Sequence, residues 1–163
     1  MTQSPLTEIS VNLPGKIYRS AMPFSNYDRL GEVWVAYQAA NVKVVVVLTE
    51  KQEYLVRAQR DLPAFYRQAG MEVIAYPIRD YHAPDNPEAF AAALHAVYAN
   101  LIAGRNVAVH CMAGIGRTGI FLACLSRIVL QIDGPTAIQW VREYIPEALE
   151  NEQQEEFVLN YAF

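Results

Sequence analysis

Cys111 and Arg117 stand six residues apart in the segment 109–119, VHCMAGIGRTG, together with Thr118 and three glycines. These types at this spacing suit chemistry on an anion. Six residues can curl so that successive backbone N–H groups point inward and form an anion-binding nest. Gly114 and Gly116 allow the backbone conformations that such a curl demands. Arg117 brings a planar guanidinium able to grip two oxygens of a tetrahedral anion. A cysteine at the rim of so positive a nest is favoured as thiolate, and a thiolate facing a phosphoryl group is a nucleophile aimed at phosphorus. Thr118 is placed to donate its hydroxyl to that sulfur when it later leaves. His110 is placed to orient the loop backbone by hydrogen bonding, or simply to be a satisfied core histidine.

Each residue alone has a bland reading. A buried free cysteine is usually a small hydrophobe, and glycines in a turn relieve strain. The combination is harder to dismiss: with glycine at about 7% of residues, three glycines at set positions coincide about 3 times in 10,000. A thiolate expels an alkyl or aryl oxide poorly, so a general acid is also needed. The segment 79–88, RDYHAPDNPE, offers Asp80, His82 and Asp85. For either aspartate the alternative is a solvated turn carboxylate.

The elements that must position these residues read as alternating strands and helices. Val42 to Leu48, VKVVVVL, is β-branched and almost wholly apolar, as befits a strand buried on both faces. Met71 to Ile78 and Asn106 to His110 read similarly, and Lys16 to Arg19 suits an edge strand. Helices are expected from a Ser25 or Asn26 cap through Tyr37, over Glu53 to Ala69 with a break near Pro63, and over Pro87 to Ala103. Further helices are expected over Ile120 to Leu130, Thr136 to Tyr144 and Asn151 to Tyr161. This alternation predicts an α/β fold, a mainly parallel sheet with helices on both faces. Ligands of such folds sit beyond the carboxyl ends of the strands, where segment 109–119 lies.

The chain has 163 residues, 53% apolar and 18% charged, enough for one domain spanning 1–163 with a substantial core. A net charge of −4 argues against a nucleic-acid partner, while leaving room for a locally positive pocket. No basic, apolar leader opens the sequence and no apolar run could cross a membrane, so the expected location is cytoplasmic. Two cysteines are too few for a disulfide framework. Cys124 falls about two turns along the following helix and reads as core packing rather than a redox partner. His82, His95 and His110 have no ligand spacing, so neither metal nor cofactor is implied.

The segment HCMAGIGRTG resembles the His-Cys-x5-Arg-Thr-Gly signature of the cysteine-dependent protein tyrosine and dual-specificity phosphatases. A nucleotide-binding loop is a poor rival, because its lysine is missing. The resemblance implies the phosphotyrosine protein phosphatase-like fold. It also separates the acids, since the family places an aspartate four residues before a proline, roughly thirty residues ahead of the cysteine. Asp80 and Pro84 match, with Cys111 following 31 residues after Asp80, whereas Asp85 has no such proline. Tyr81 and His82 beside the acid become candidate substrate contacts. The tryptophan-proline lead-in of tyrosine-specific members is absent, which points to a compact, dual-specificity-like member.

The tail resembles the Glu-Thr-x-x-Gln-Glu segment of small members, with Glu150 and Gln154 in register and Asn151 in place of the threonine. Gln154, or Gln153 if the register shifts by one, would then hold the water that hydrolyses a phosphocysteine. The opening KIYRSAMP resembles the Tyr-Arg-Ser-x-x-Pro start of prokaryotic members, with Arg19 in a structural position.

The implied activity is a phosphomonoesterase with a phosphocysteine intermediate. The loop 111–117, through Met112, Ala113, Gly114, Ile115, Gly116 and Arg117, would hold phosphate or another oxyanion. The uncharged Met112, Ala113 and Ile115 weigh against polyphosphorylated inositides and towards phosphorylated proteins or peptides, phosphotyrosine first and phosphoserine or phosphothreonine next. The alternatives are a small-molecule phosphatase for a nucleotide or inositol phosphate, and a non-catalytic phosphate-binding module.

Overall fold

The structure, a computed structural model, describes residues 4–162. Five strands form one sheet: β1 (Thr7–Ile9), β2 (Ile17–Ser20), β3 (Val42–Val47), β4 (Glu72–Ala75) and β5 (Asn106–His110). Their order is β1-β2-β5-β3-β4, and every pairing is parallel except the antiparallel β1–β2 edge. The expected α/β architecture is therefore present. The segment expected as an edge strand is interior, because the short β1, which the sequence pattern did not reveal, covers its outer side.

Both faces are buried, and the strands show it residue by residue. Val44, Val46, Val107 and Val109 enter one apolar core, while Val45, Val47 and Ala108 enter the other. This is the side-chain alternation of a sheet covered on both sides. The first core is roofed by α4 (Pro87–Ile102), α5 (Gly116–Val129), α6 (Gly134–Tyr144) and α7 (Glu152–Asn160). The second is roofed by α1 (Glu32–Ala39), α2 (Lys51–Arg57) and α3 (Leu62–Gln68).

Three helix boundaries depart from expectation for local reasons. The first helix starts at Glu32 because the buried Asp28 accepts from both Phe24 N and Val33 N, folding 24–31 into turns. Glu53 to Ala69 divides into α2 and α3, with Gln59 at φ 53° and Asp61 capping α3 through the Ala64 N–H. The break thus precedes Pro63, which sits comfortably in a first turn. Finally, α5 begins at Gly116, inside the candidate anion loop. Among the described residues no helix is long and apolar enough to cross a membrane.

Candidate active site

The loop between β5 and α5 leaves the carboxyl end of a central strand and enters the N-terminus of a buried helix. Cys111 is 3% exposed at its start. Gly114 adopts φ 77°, the left-handed region in which a side chain is strained. A Cβ there would also strike the Ser20 carbonyl and Arg19. Arg19 explains the curl: its Nε donates to the Gly114 carbonyl (3.1 Å) and its Nη2 to the Ala113 and Gly114 carbonyls (3.0 and 2.8 Å). Tying those carbonyls outward leaves the opposite side of the loop to its N–H groups. Met22 N–H donates to the Met112 carbonyl and fixes the other shoulder (2.9 Å). The Gly116 N–H is turned to the Glu150 carboxylate.

His110 lies wholly buried under the loop. Its Nδ1 is 3.1 Å from the Cys111 carbonyl and its Nε2 is 3.0 Å from the Tyr66 hydroxyl. A carbonyl can only accept, so Nδ1 carries the proton and the neutral Nε2 accepts from Tyr66. Burial pushes the imidazole down to about 4, against the smaller opposing effect of the Cys111 carbonyl. Thr118 is also buried, and its Oγ1 has no hydrogen-bond partner among the described residues.

Arg117, 2% exposed, is where the start of α5 meets α2 and the segment after β4. Its Nη1 and Nη2 donate to the two carboxylate oxygens of Glu53, each at 2.8 Å, and Nη1 also donates to the Ile78 carbonyl (3.0 Å). Asp80 Oδ1 lies 3.3 Å from Nη2. Burial alone would lower the guanidinium pKa, but Glu53, the nearby Cys111 and Asp80 outweigh it and hold the group above its ordinary value. Glu53 was not singled out from the sequence. It read as part of a helix start, and it does close a capping box with Glu50 while pairing with Arg117. Arg19 likewise has a loop-forming part that its position alone did not reveal.

The acid segment follows β4. Asp80 Oδ1 accepts from Tyr81 N (3.0 Å), and the turn closes with His82 N–H donating to the Arg79 carbonyl (3.0 Å). The Asp80 side chain is half exposed. His82 Nδ1 donates to the Asp80 carbonyl (2.7 Å), which ties its ring to the turn. Among the described residues the ion pairs of Arg117 are with Glu53 and Asp80, not Asp85. Gln154 is fully buried, with Oε1 accepting from Glu150 N (2.8 Å) and Nε2 donating to the His82 carbonyl (3.3 Å). Gln153 faces a different groove, beside Pro84 and Phe157.

Asp80, Glu53 and Met112 line a cleft of about 520 Å³, whose outer rim carries Tyr27, Arg57 and Arg79. Tyr27 is 64% exposed. Cys124, deep in α5, is fully buried, and burial pushes its thiol up. No cluster of three metal-ligating side chains occurs among the described residues.

Known proteins resemble this chain in sequence and in fold. The chain is 34% identical over 110 residues to "Putative tyrosine phosphatase 067L" of Invertebrate iridescent virus 3, covering 66% of this chain and 43% of that one. It is 38% identical over 86 residues to an uncharacterized protein of Methanocaldococcus jannaschii, MJECL20, covering 52% and 56%. The chain thus spans about half the length of the curated relatives it matches. Among solved structures, kinase associated phosphatase superposes with a TM-score of 0.84 at 18% identity, over 97% of this chain and 93% of that one. The active form of Tk-PTP gives 0.75 at 27% identity, over 94% and 93%. A variant of P. aeruginosa TpbA in complex with pTyr gives 0.64 at 22% identity, over 99% and 93%. A family profile matches residues 26–129, from Asn26 beside the rim tyrosine through the acid loop to the end of α5, and the chain belongs to the polymorphic toxin system, DSP-PTPase phosphatase family.

Proposed function

We propose that this chain hydrolyses phosphomonoesters through a phosphocysteine intermediate. One observation carries the reading: a single buried guanidinium joins the Cys111 loop to the Asp80 loop. Glu53 grips Nη1 and Nη2, which leaves the Nε side of the guanidinium, with Asp80 beside Nη2, to meet the phosphoryl oxygens. Cys111 sulfur attacks phosphorus in line, and the P–O bond to the leaving group breaks. Asp80, 3.3 Å from the same guanidinium, gives its proton to the departing oxygen. The loop amides other than that of Gly116, which is turned to Glu150, and Arg117 hold the equatorial oxygens as charge builds on them. Water then attacks the phosphocysteine with Asp80 as base, and sulfur leaves as thiolate. The Thr118 hydroxyl, buried and without a hydrogen-bond partner among the described residues, is a donor for that sulfur. Gln154 stands behind the acid turn, with both ends of its amide engaged.

The substrate we propose is a phosphorylated protein or peptide, phosphotyrosine first. The uncharged Met112, Ala113 and Ile115, and an exposed tyrosine at the cleft rim, support an aromatic guest carrying one phosphoryl group. A nucleophile that must remain a thiol fits a reducing compartment such as the cytoplasm. The test is Cys111→Ser assayed with phosphotyrosine peptide, phosphoserine peptide and small phosphoesters. Turnover should vanish while orthovanadate still binds, and kcat/KM of the parent protein should rank the phosphotyrosine peptide first. Residual turnover in the variant refutes the thiol mechanism, and a small phosphoester ranked first refutes the substrate assignment.

A further inference from the structure

The acid turn is closed by its own hydrogen bonds, yet it is strained. Tyr81 adopts φ 63°, a left-handed conformation that costs a bulky residue about 1–2 kcal/mol. Such a conformation persists where neighbours impose it. Two carbonyls of this turn are held by one short segment at the start of α7: Asn151 Nδ2 donates to the Tyr81 carbonyl (2.8 Å) and Gln154 Nε2 to the His82 carbonyl (3.3 Å). The same segment touches the catalytic loop, since the Glu150 carboxylate takes the Gly116 N–H. A Cβ at Gly116 would lie 2.5 Å from that carboxylate.

The segment is rigid enough to act as a mount. Asn151 Oδ1 accepts from Gln154 N (3.0 Å) and caps α7, and Gln154 Oε1 accepts from Glu150 N (2.8 Å). From α6, Arg142 donates to the Ala148 and Leu149 carbonyls (3.0 and 3.3 Å) and to the Glu155 carboxylate (2.5 Å). Asn151 therefore uses one end of its amide to start a helix and the other to hold the acid turn.

We propose that Asn151 is a positioning residue for the general acid: by holding the Tyr81 carbonyl, it keeps the Asp80 turn closed against Arg117. This rests on the assignment of Asp80 as the acid. A threonine or serine here could cap the helix equally well, but its short side chain has no second donor to reach the turn. The asparagine thus links the acid turn to the same short segment that backs the catalytic loop at Gly116.

The test compares phenyl phosphate, whose leaving group is strongly basic and needs a proton, with 2,4-dinitrophenyl phosphate, whose leaving group does not. The ratio of the two kcat/KM values, taken on one preparation, is independent of the fraction folded. Asn151→Ser keeps the cap and removes the donor to Tyr81. It should slow phenyl phosphate about tenfold while changing dinitrophenyl phosphate less than about twofold. Asp80→Asn should show a larger split of the same kind, and adding Asn151→Ser to it should produce no further split. An equal loss on both substrates, or no loss on either, overturns the positioning role while the Asp80 split stands. If Asp80→Asn itself shows no split, the assignment of the acid fails instead.

Discussion

Acidification from pH 7 to pH 5 should destabilise this protein through one residue. His110 is wholly buried, and its neutral ring is specified on both sides, with Nδ1–H donated to the Cys111 carbonyl and Nε2 accepting from Tyr66. Burial lowers its pKa from 6.5 to about 4. The folded pKa lies below the unfolded one, so the unfolded chain binds the extra proton first. Stability is complete above pH 6.5 and is lost as the pH falls towards 4. Linkage converts the shift into about 2 kcal/mol lost between pH 7 and pH 5, with a limit of about 3 kcal/mol below pH 4. Glu150, whose carboxyl is raised by burial and by repulsion from Asp80, acts in the opposite direction and so must be subtracted. The subtraction is a variant. His110→Gln does not titrate, and its amide oxygen can accept the Tyr66 hydroxyl. Urea unfolding of both proteins at pH 7 and pH 5 gives two pH differences, and their difference should be about 2 kcal/mol. Equal losses in the two proteins would refute the buried neutral histidine, whatever the stability of the variant at pH 7.

Two further substitutions probe the frame of the site. Glu53→Gln removes the charge paired with a buried guanidinium; the unfolding free energy should fall by about 2 kcal/mol and kcat/KM by at least about tenfold, read by denaturation and aryl phosphate hydrolysis. Gly114→Ala places a Cβ at φ 77° against the Ser20 carbonyl and Arg19, so the loop must open. Orthovanadate inhibition should weaken at least about tenfold, while far-ultraviolet circular dichroism stays that of the parent protein.

What could be read from the residues follows from how local each cause is. The four-valine run of β3 and the strand before Cys111 announce two-sided burial in their composition, and the helices on both faces follow. The Cys111 to Thr118 loop is legible because its reactive types and its glycines lie within one short segment, although Arg19, which ties its carbonyls, does not. Glu53 is not, since its partner lies 64 residues away and its local duty, a capping box, accounts for it fully. Asn151 is hidden in the same way: as a helix cap it needs no further explanation, and its second hydrogen bond reaches back 70 residues. The start of α1 was misplaced because Ser25 and Asn26 look like caps, whereas the buried Asp28 bonds on both sides of Gly31 and holds the backbone in turns. β1 has three residues, too few for a period to show.

The sheet order explains why residues so far apart in sequence converge on one guanidinium. β5, β3 and β4 are adjacent and parallel, so their carboxyl ends share one edge of the sheet. The nucleophile follows β5, Glu53 lies in the helix that follows β3, and Asp80 follows β4. Each strand thus delivers one function to the same edge, and Arg117 touches the contributions of the other two. The chemistry then needs only short loops, and errors in their placement are limited by the sheet itself. The acid turn is the exception. It extends past the last bond that ties it to β3, the Ile78 N–H donated to the Leu48 carbonyl, and it carries a left-handed tyrosine. Beyond the reach of the sheet, the turn's own hydrogen bonds are supplemented from outside: Asn151, the cap of α7, and Gln154 within it hold the Tyr81 and His82 carbonyls.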